Sequence, residues 1–464
     1  MIWLVGGATA LFQIATSNIY SYHRDELYYL ACGRRLAWGY ADHPPLTPLL
    51  YRLSDELFGH SLLGLRIVPA LLHGFLVVVT AALARELGAT RRAQLAAAIG
   101  IAVAPMFLTI GHFLTTITPE VVAWTLATLF LVRILKGGSP RLWVAFGAAV
   151  GVGFFSKWTT VLLVGGLAVG LLATRHRRTL LTPWAVVGGT IAVGLWVPSL
   201  VWQASHGWPQ VELSRHISDS VMAAFTLPYQ VVLLGAASVL AVPGFRRVLR
   251  RADDGVWLFG IAFVVIVAVV MLTGGKPYYA AVFGPVLVAA GAARPGWVPT
   301  RDVFVTIAII AVVTAPFATP LLPQASATVT TPLNKELGEM VGWPELVDVV
   351  AREHNRFPEA GIFTANYSEA ASIEILGRAR GLPQPFSGHN AYWFWRHPHG
   401  ISAQTIAVGF PDRYLNRYFA DVRRIATFHS PGGVPNMEDG AAIWLVSGQR
   451  ATWDALWPRL KHIQ

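Results

Sequence analysis

The sequence predicts an α-helical polytopic membrane protein carrying a small C-terminal α/β domain, and three observations predict it. Hydrophobic residues fill 54% of the 464 positions and charged residues only 13%, more apolar sequence than a soluble core uses. The apolar residues gather into about eleven runs of bilayer-crossing length. From Gln324 onward charged residues become more frequent and the apolar runs shorten.

The runs fall at about 2–20, 62–84, 93–111, 119–135, 141–156, 158–174, 183–203, 226–244, 256–273, 278–293 and 303–322. The first has no basic residues before it, so an uncleaved span is expected rather than a signal peptide. The fifth and sixth are short, and Ser156-Lys157-Trp158 between them reads as a tight polar hairpin. Scattered Gly and Pro in helix-length runs fit membrane helices. A β-barrel would alternate apolar and polar residues, which this chain does not do.

Basic residues set the orientation. Arg85, Arg91 and Arg92, then Arg133, Lys136 and Arg141, then Arg175, Arg177 and Arg178 occupy alternate loops. Arg246, Arg247, Arg250 and Arg251 follow, and then Arg294 and Arg301. The positive-inside rule makes that side cytoplasmic. The opposite side receives the loop around Asp25, the Thr115–Glu120 turn, the Lys157 hairpin and the 204–225 loop. It also receives the turn Lys276-Pro277-Tyr278-Tyr279 and the C-terminal region. The Arg-rich loops of the cytoplasmic side account for most of the formal net charge of +11. With no basic, aromatic-interleaved domain present, nucleic acid is not an expected partner. A single cysteine, Cys32, excludes an intrachain disulfide and a cysteine metal cluster.

The first outer loop, 21–61, contains two stretches with one apolar and one charged face, Asp25–Leu36 and Pro48–Leu57. Such helices lie along the membrane interface. The division expected is a transmembrane unit at 1–323 and an extracytoplasmic α/β domain at 324–464. In the latter, strands are expected at Gly361–Ala365, Thr405–Gly409 and Ala441–Val446, and helices at Tyr367–Arg378, Asp412–Ile425 and Thr452–His462.

The chemistry concentrates on the outer side. Asp25 and Glu26 are adjacent, so on a helix they point about a hundred degrees apart. One can face a cavity while the other caps the helix or holds a partner. A carboxylate against apolar walls suits general-base work on a hydroxyl, and acidic first-turn residues also fit ordinary capping. Glu120 follows Thr118-Pro119 at a helix start, where acid is usual, yet topology puts it on the Asp25 side. With His43 these carboxylates leave room for a divalent metal, although no ligand spacing specifies one and no other cofactor is indicated. Lys157, Lys276, Tyr278 and Tyr279 fit an interfacial belt and equally a bound phosphate. In Phe386–Trp395, His389, Asn390 and Tyr392 combine aromatic faces with hydrogen-bonding groups. That mixture suits a sugar or acceptor and also a packing loop.

At these residues the chain resembles the polyprenyl-phosphate-sugar-dependent glycosyltransferases of the GT-C fold, the group of protein mannosyltransferases and lipid A aminoarabinose transferases. The matching pieces are Asp25-Glu26 with Tyr28-Tyr29, Asp42-His43-Pro44-Pro45-Leu46, Thr118-Pro119-Glu120, Ser156-Lys157 and Lys276-Pro277-Tyr278-Tyr279. Asn366–Ala370 and Ser387–Asn390 look like loops of bacterial members. The resemblance implies inverting sugar transfer from a polyprenyl-phosphate-linked donor to a hydroxyl of a glycan, lipid or protein. The reaction would lie at the outer face of a bacterial cytoplasmic membrane, with lipid as a partner. It makes Asp25 the base, gives Glu26, His43 and Glu120 supporting places, and sets Lys157, Lys276, Tyr278 and Tyr279 on the donor phosphate. Relatives commonly carry Asp where this chain has Glu120. A transporter of a lipid-linked substrate is the alternative. It would place ionisable groups at mid-span and repeat one half of the chain, whereas here the polar groups sit at span ends.

Overall fold

The computed structural model describes residues 1–251, 254–395, 398 and 403–464. Each of the eleven apolar runs is helical. Among the described residues five helices are long and apolar enough to cross a membrane: Leu62–Glu86, Ile117–Leu135, Pro183–Ser205, Thr226–Val248 and Gly255–Thr273. Arg91–Ala102 and Pro105–His112 make a sixth span if counted together, bent by 59°. The bend falls where Pro105, lacking an N–H, starts a new helix rather than continuing the old one. The remaining runs fold as shorter helices, among them Ile2–Thr16, Leu142–Ser156, Thr160–Leu172, Gly284–Ala292 and Arg301–Thr314.

Small residues let these helices approach closely, as expected where lipid offers no hydrophobic drive between them. A Cβ on Gly147 would lie 2.0 Å from the Gly188 carbonyl oxygen, and one on Gly244 would lie 1.8 Å from that of Leu287. The two ends of the bundle differ in character. Helix Leu62–Glu86 starts beside the first loop, where the Tyr22 hydroxyl donates to the His60 carbonyl. Its far end, some 37 Å away at 1.5 Å per residue, carries Glu86, which pairs with Arg133 at 2.9 Å. The basic loop residue Arg133 therefore lies at the end of this helix away from the first loop.

The first loop forms the two expected helices, Arg24–Gly33 and Leu46–Phe58. Its aromatics Tyr28, Tyr29, Tyr40 and Tyr51 do not lie free on an interface. They share one hydrophobic cluster with Trp343, Leu346, Ile362, Tyr392 and Ile406, so the loop and the C-terminal sheet pack as one core.

That sheet has five strands in the order β2-β1-β3-β5-β4. Strands β1 (Gly361–Thr364), β2 (Phe386–Ser387) and β3 (Gln404–Val408) are parallel. Strand β5 (Ala442–Gln449) runs antiparallel to β3 and to the edge strand β4 (Phe419–Thr427). The helices expected at Tyr367–Arg378 and Thr452–His462 appear as Tyr367–Leu376 and Trp453–Leu460. The helix expected over Asp412–Ile425 does not form. Only Asp412–Leu415 is helical, and β4 follows. A register shift between Arg424 and Ala426 explains the misreading, because a bulge interrupts the period of two and sets Val422 and Ile425 at helix-like spacing. The amphipathic helix Trp343–Arg356, which buries Leu346, Val347 and Val350, precedes the sheet.

Candidate active site

The site begins with how the helix Arg24–Gly33 starts. His23 is its N-cap: the imidazole Nδ1 accepts from the Asp25 N–H, and the Glu26 carboxylate accepts from the His23 N–H at 2.7 Å. The capping role that either acid could have taken therefore falls to Glu26. Its carboxylate, fully buried, meets Arg66 in an ion pair at 2.6 Å. Arg66 also donates to the Ser17 and Ser21 carbonyls. With Glu26 turned inward, Asp25 is left facing a cavity of about 860 Å³.

Asp25 is held from one side. Its Oδ1 accepts from the Tyr367 hydroxyl at 2.9 Å and lies 3.6 Å from the Arg24 Nε. Burial and the Asp25 carboxylate push the Tyr367 phenol well up from its ordinary value, so it remains a donor. Asp42 lines the same cavity. Its Oδ1 accepts from Tyr28 at 2.8 Å, and its Oδ2 from Asn390 at 3.3 Å. Burial raises the Asp42 carboxyl, while His43 and Tyr28 act against that rise. The His43 Nδ1–H donates to the Pro44 carbonyl at 2.9 Å, turning Nε2 toward Asp42 at 3.7 Å.

The same cavity carries cations. The Lys157 Nζ sits 5.0 Å from the Tyr279 ring centre and 5.2 Å from that of Tyr278, within cation–π range. Lys276 lines the cavity beside them, as does Glu336. The Glu336 carboxylate lies 2.9 Å from His23 Nε2. Partial burial opposes its ionisation, but the hydrogen bond from His23 and the charges of Arg24 and Lys276 prevail and lower it to about 2. Further in, the walls become apolar, with Met106, Ile110, Leu233, Val270 and Phe317.

Asp25, His43, Lys157, Lys276, Tyr278, Tyr279 and Asn390 thus come together on one cavity. Four other sequence candidates stand behind its wall. Glu26 is the internal partner of Arg66. Glu120, wholly buried, accepts from Thr159 at 2.5 Å and from Thr160 at 3.4 Å, bracing the turn that carries Lys157. His389 is not a surface contact: its Nδ1 accepts from the Tyr367 N–H, and burial together with His462 lowers it to about 3, so it is neutral. Tyr392 is a packing residue whose hydroxyl donates to Glu374. Among the described residues no three His, Cys, Asp or Glu side chains converge as metal ligands.

Four residues of the site were not singled out from sequence: Asp42, Glu336, Tyr367 and Arg66. The last had a readable signal, since a lone arginine inside an apolar span needs a partner.

Residues 42–202 match the family model described as dolichyl-phosphate-mannose-protein mannosyltransferase. No curated protein matches the chain. Among solved structures, ArnT from Cupriavidus metallidurans bound to undecaprenyl phosphate superposes with a TM-score of 0.60 at 16% identity, covering 95% of this chain and 97% of its own. The apo state of the same enzyme gives a TM-score of 0.61 at 17% identity, with the same coverage. The arabinofuranosyltransferase AftD from Mycobacteria gives 0.53 at 15% identity, over 96% of this chain and 40% of its own. The chain is a membrane protein with the GT-C glycosyltransferase fold, and residues 42–202 carry the sequence pattern of the mannosyltransferase family.

Proposed function

We propose that this protein is an inverting glycosyltransferase that moves a sugar from a polyprenyl-phosphate-linked donor to a hydroxyl of a glycan, lipid or protein. The observation that carries this reading is one cavity lined by Asp25, by Lys157, Lys276, Tyr278 and Tyr279, and by many apolar side chains. A lipid phosphate needs both an apolar channel and fixed positive charge. ArnT of the same fold binds undecaprenyl phosphate, which supports a donor lipid of that class here.

In the proposed reaction Asp25 takes the proton of the acceptor hydroxyl as its oxygen attacks the anomeric carbon. The bond from that carbon to the phosphate oxygen breaks, and the electron pair leaves with polyprenyl phosphate. This leaving group is weakly basic, so it needs charge stabilisation more than a proton. The two lysines supply that charge in place before the reaction, with no reorganisation cost during it. Tyr278 and Tyr279 stack about the Lys157 ammonium and orient it. Asp42 and His43 shape the acceptor side. The basic loop ends opposite the cavity favour placing the site and the C-terminal α/β domain, 324–464, outside a bacterial cytoplasmic membrane.

The test is direct. Purified protein in lipid vesicles, given a polyprenyl-phosphate sugar and a mixed envelope acceptor fraction, should release free polyprenyl phosphate and yield a glycosylated product. Movement of intact donor between leaflets without consumption would instead identify a transporter.

A further inference from the structure

The hydroxyl that meets Asp25 comes from the far end of the chain. Tyr367 is the first residue of the helix Tyr367–Leu376, and that helix start is fixed from several directions. The Asn366 side chain accepts from the N–H groups of Ser368 and Glu369. The Glu369 carboxylate accepts from the Ala365 and Asn366 N–H groups in return. Asn366 Nδ2 donates to Glu438 at 2.9 Å. Gly409 must lack a side chain here, because a Cβ would lie 1.7 Å from Glu369 Oε1. The Tyr367 ring then lies between Tyr28, at 4.5 Å, and His389, at 5.0 Å. A ring held by a helix cap and two flanking rings has little rotamer freedom left, so its hydroxyl is a fixed donor.

The fixed donor reaches only one oxygen of Asp25. Oδ1 accepts from the Tyr367 hydroxyl, and the Arg24 Nε lies 3.6 Å from the same oxygen as an ion-pair contact. Among the described residues Oδ2 has no hydrogen-bond partner. The carboxylate is therefore oriented with one oxygen engaged and one available to the cavity.

We propose that Tyr367 is a positioning residue for the transfer reaction, holding Asp25 from the C-terminal sheet so that Oδ2 faces the acceptor hydroxyl. On this view the C-terminal region is a working part of the site. The proposal rests on the assignment of Asp25 as the base. A carboxylate free to rotate would present its basic lone pair only part of the time, which slows the chemical step and leaves donor binding alone.

Tyr367→Phe removes the hydroxyl and keeps the ring packing. Steady-state transfer should show kcat lowered by roughly tenfold to a hundredfold, the range for losing a hydrogen bond to a charged group. The KM for donor and the Tm should stay at wild-type values. In an Asp25→Glu background, where the carboxylate has already moved, Tyr367→Phe should cost little more. A raised acceptor KM with unchanged kcat overturns the proposal in favour of substrate contact by Tyr367. A lowered Tm with loss in both backgrounds overturns it in favour of packing, as does unchanged kcat. If Asp25→Asn is itself fully active, the base assignment fails first, which separates the two failures.

Discussion

The Glu26 carboxylate and the Arg66 guanidinium meet at 2.6 Å with both side chains fully buried. This pair ties the start of the helix Arg24–Gly33 to a membrane-spanning helix, and through the Ser17 and Ser21 carbonyls to the end of the first span. Removing one member of a buried pair leaves an uncompensated charge or dipole, at a cost of about 3–5 kcal/mol. Glu26→Gln should therefore lower the Tm in detergent markedly, with activity falling in proportion to folded protein. A stable variant with normal Tm would show the pair to be dispensable.

Lys276 lines the cavity next to the two tyrosines that flank Lys157. On the proposed reading it contacts the donor phosphate, a charge-assisted contact of about 1.5–3 kcal/mol. Lys276→Ala should raise the apparent Kd for a polyprenyl-phosphate ligand by roughly tenfold to a hundredfold and leave acceptor KM near wild type. Equal affinity in the two proteins would remove Lys276 from the phosphate site.

Glu336 links the segment after the last span to His23. Its carboxyl is lowered from 4.5 to about 2 by His23, Arg24 and Lys276 against the opposing effect of burial. A depressed acid stabilises the fold above its unfolded-state value and loses that contribution as pH falls through its folded-state value. The Tm difference between wild type and Glu336→Gln should accordingly be largest near neutral pH and shrink as pH drops from 4.5 toward about 2. The side chain is 44% exposed, so solvent screening keeps the effect small. A difference that does not vary with pH would mean the contact is not ionic.

Much of this architecture was legible in the sequence because apolarity is a local property. All eleven runs became helices, and the charge asymmetry of their loops separated the end bearing Glu86 and Arg133 from the end bearing Asp25. Asp25 itself stood out as a carboxylate just beyond an apolar run. What stayed hidden depends on distant pairing. Tyr367 meets Asp25 across 342 positions, and no local pattern encodes that contact. Asp42 was quoted with its neighbours His43 and Pro44 but given no role of its own, since its partners Tyr28 and Asn390 become visible only in the fold. Glu26 and Asp25 could be told to diverge from helical geometry alone, yet which one faced inward was decided by Arg66. Strand β4 was lost to a bulge, and of the two readings open for the aromatic-polar loop, His389 and Tyr392 lie outside the cavity lining while Asn390 is part of it.

The central claim is that Asp25 is the group that takes the acceptor proton. The measurement that tests it most directly is transfer by purified Asp25→Asn, under conditions where wild type turns over a polyprenyl-phosphate sugar donor. The substituted amide keeps the shape of the side chain and its place beside Tyr367, but it cannot accept a proton. The account predicts unchanged Tm, retained donor binding and loss of transfer by roughly a hundredfold or more, as expected when a general base is removed. Transfer at the wild-type rate in that variant would contradict it.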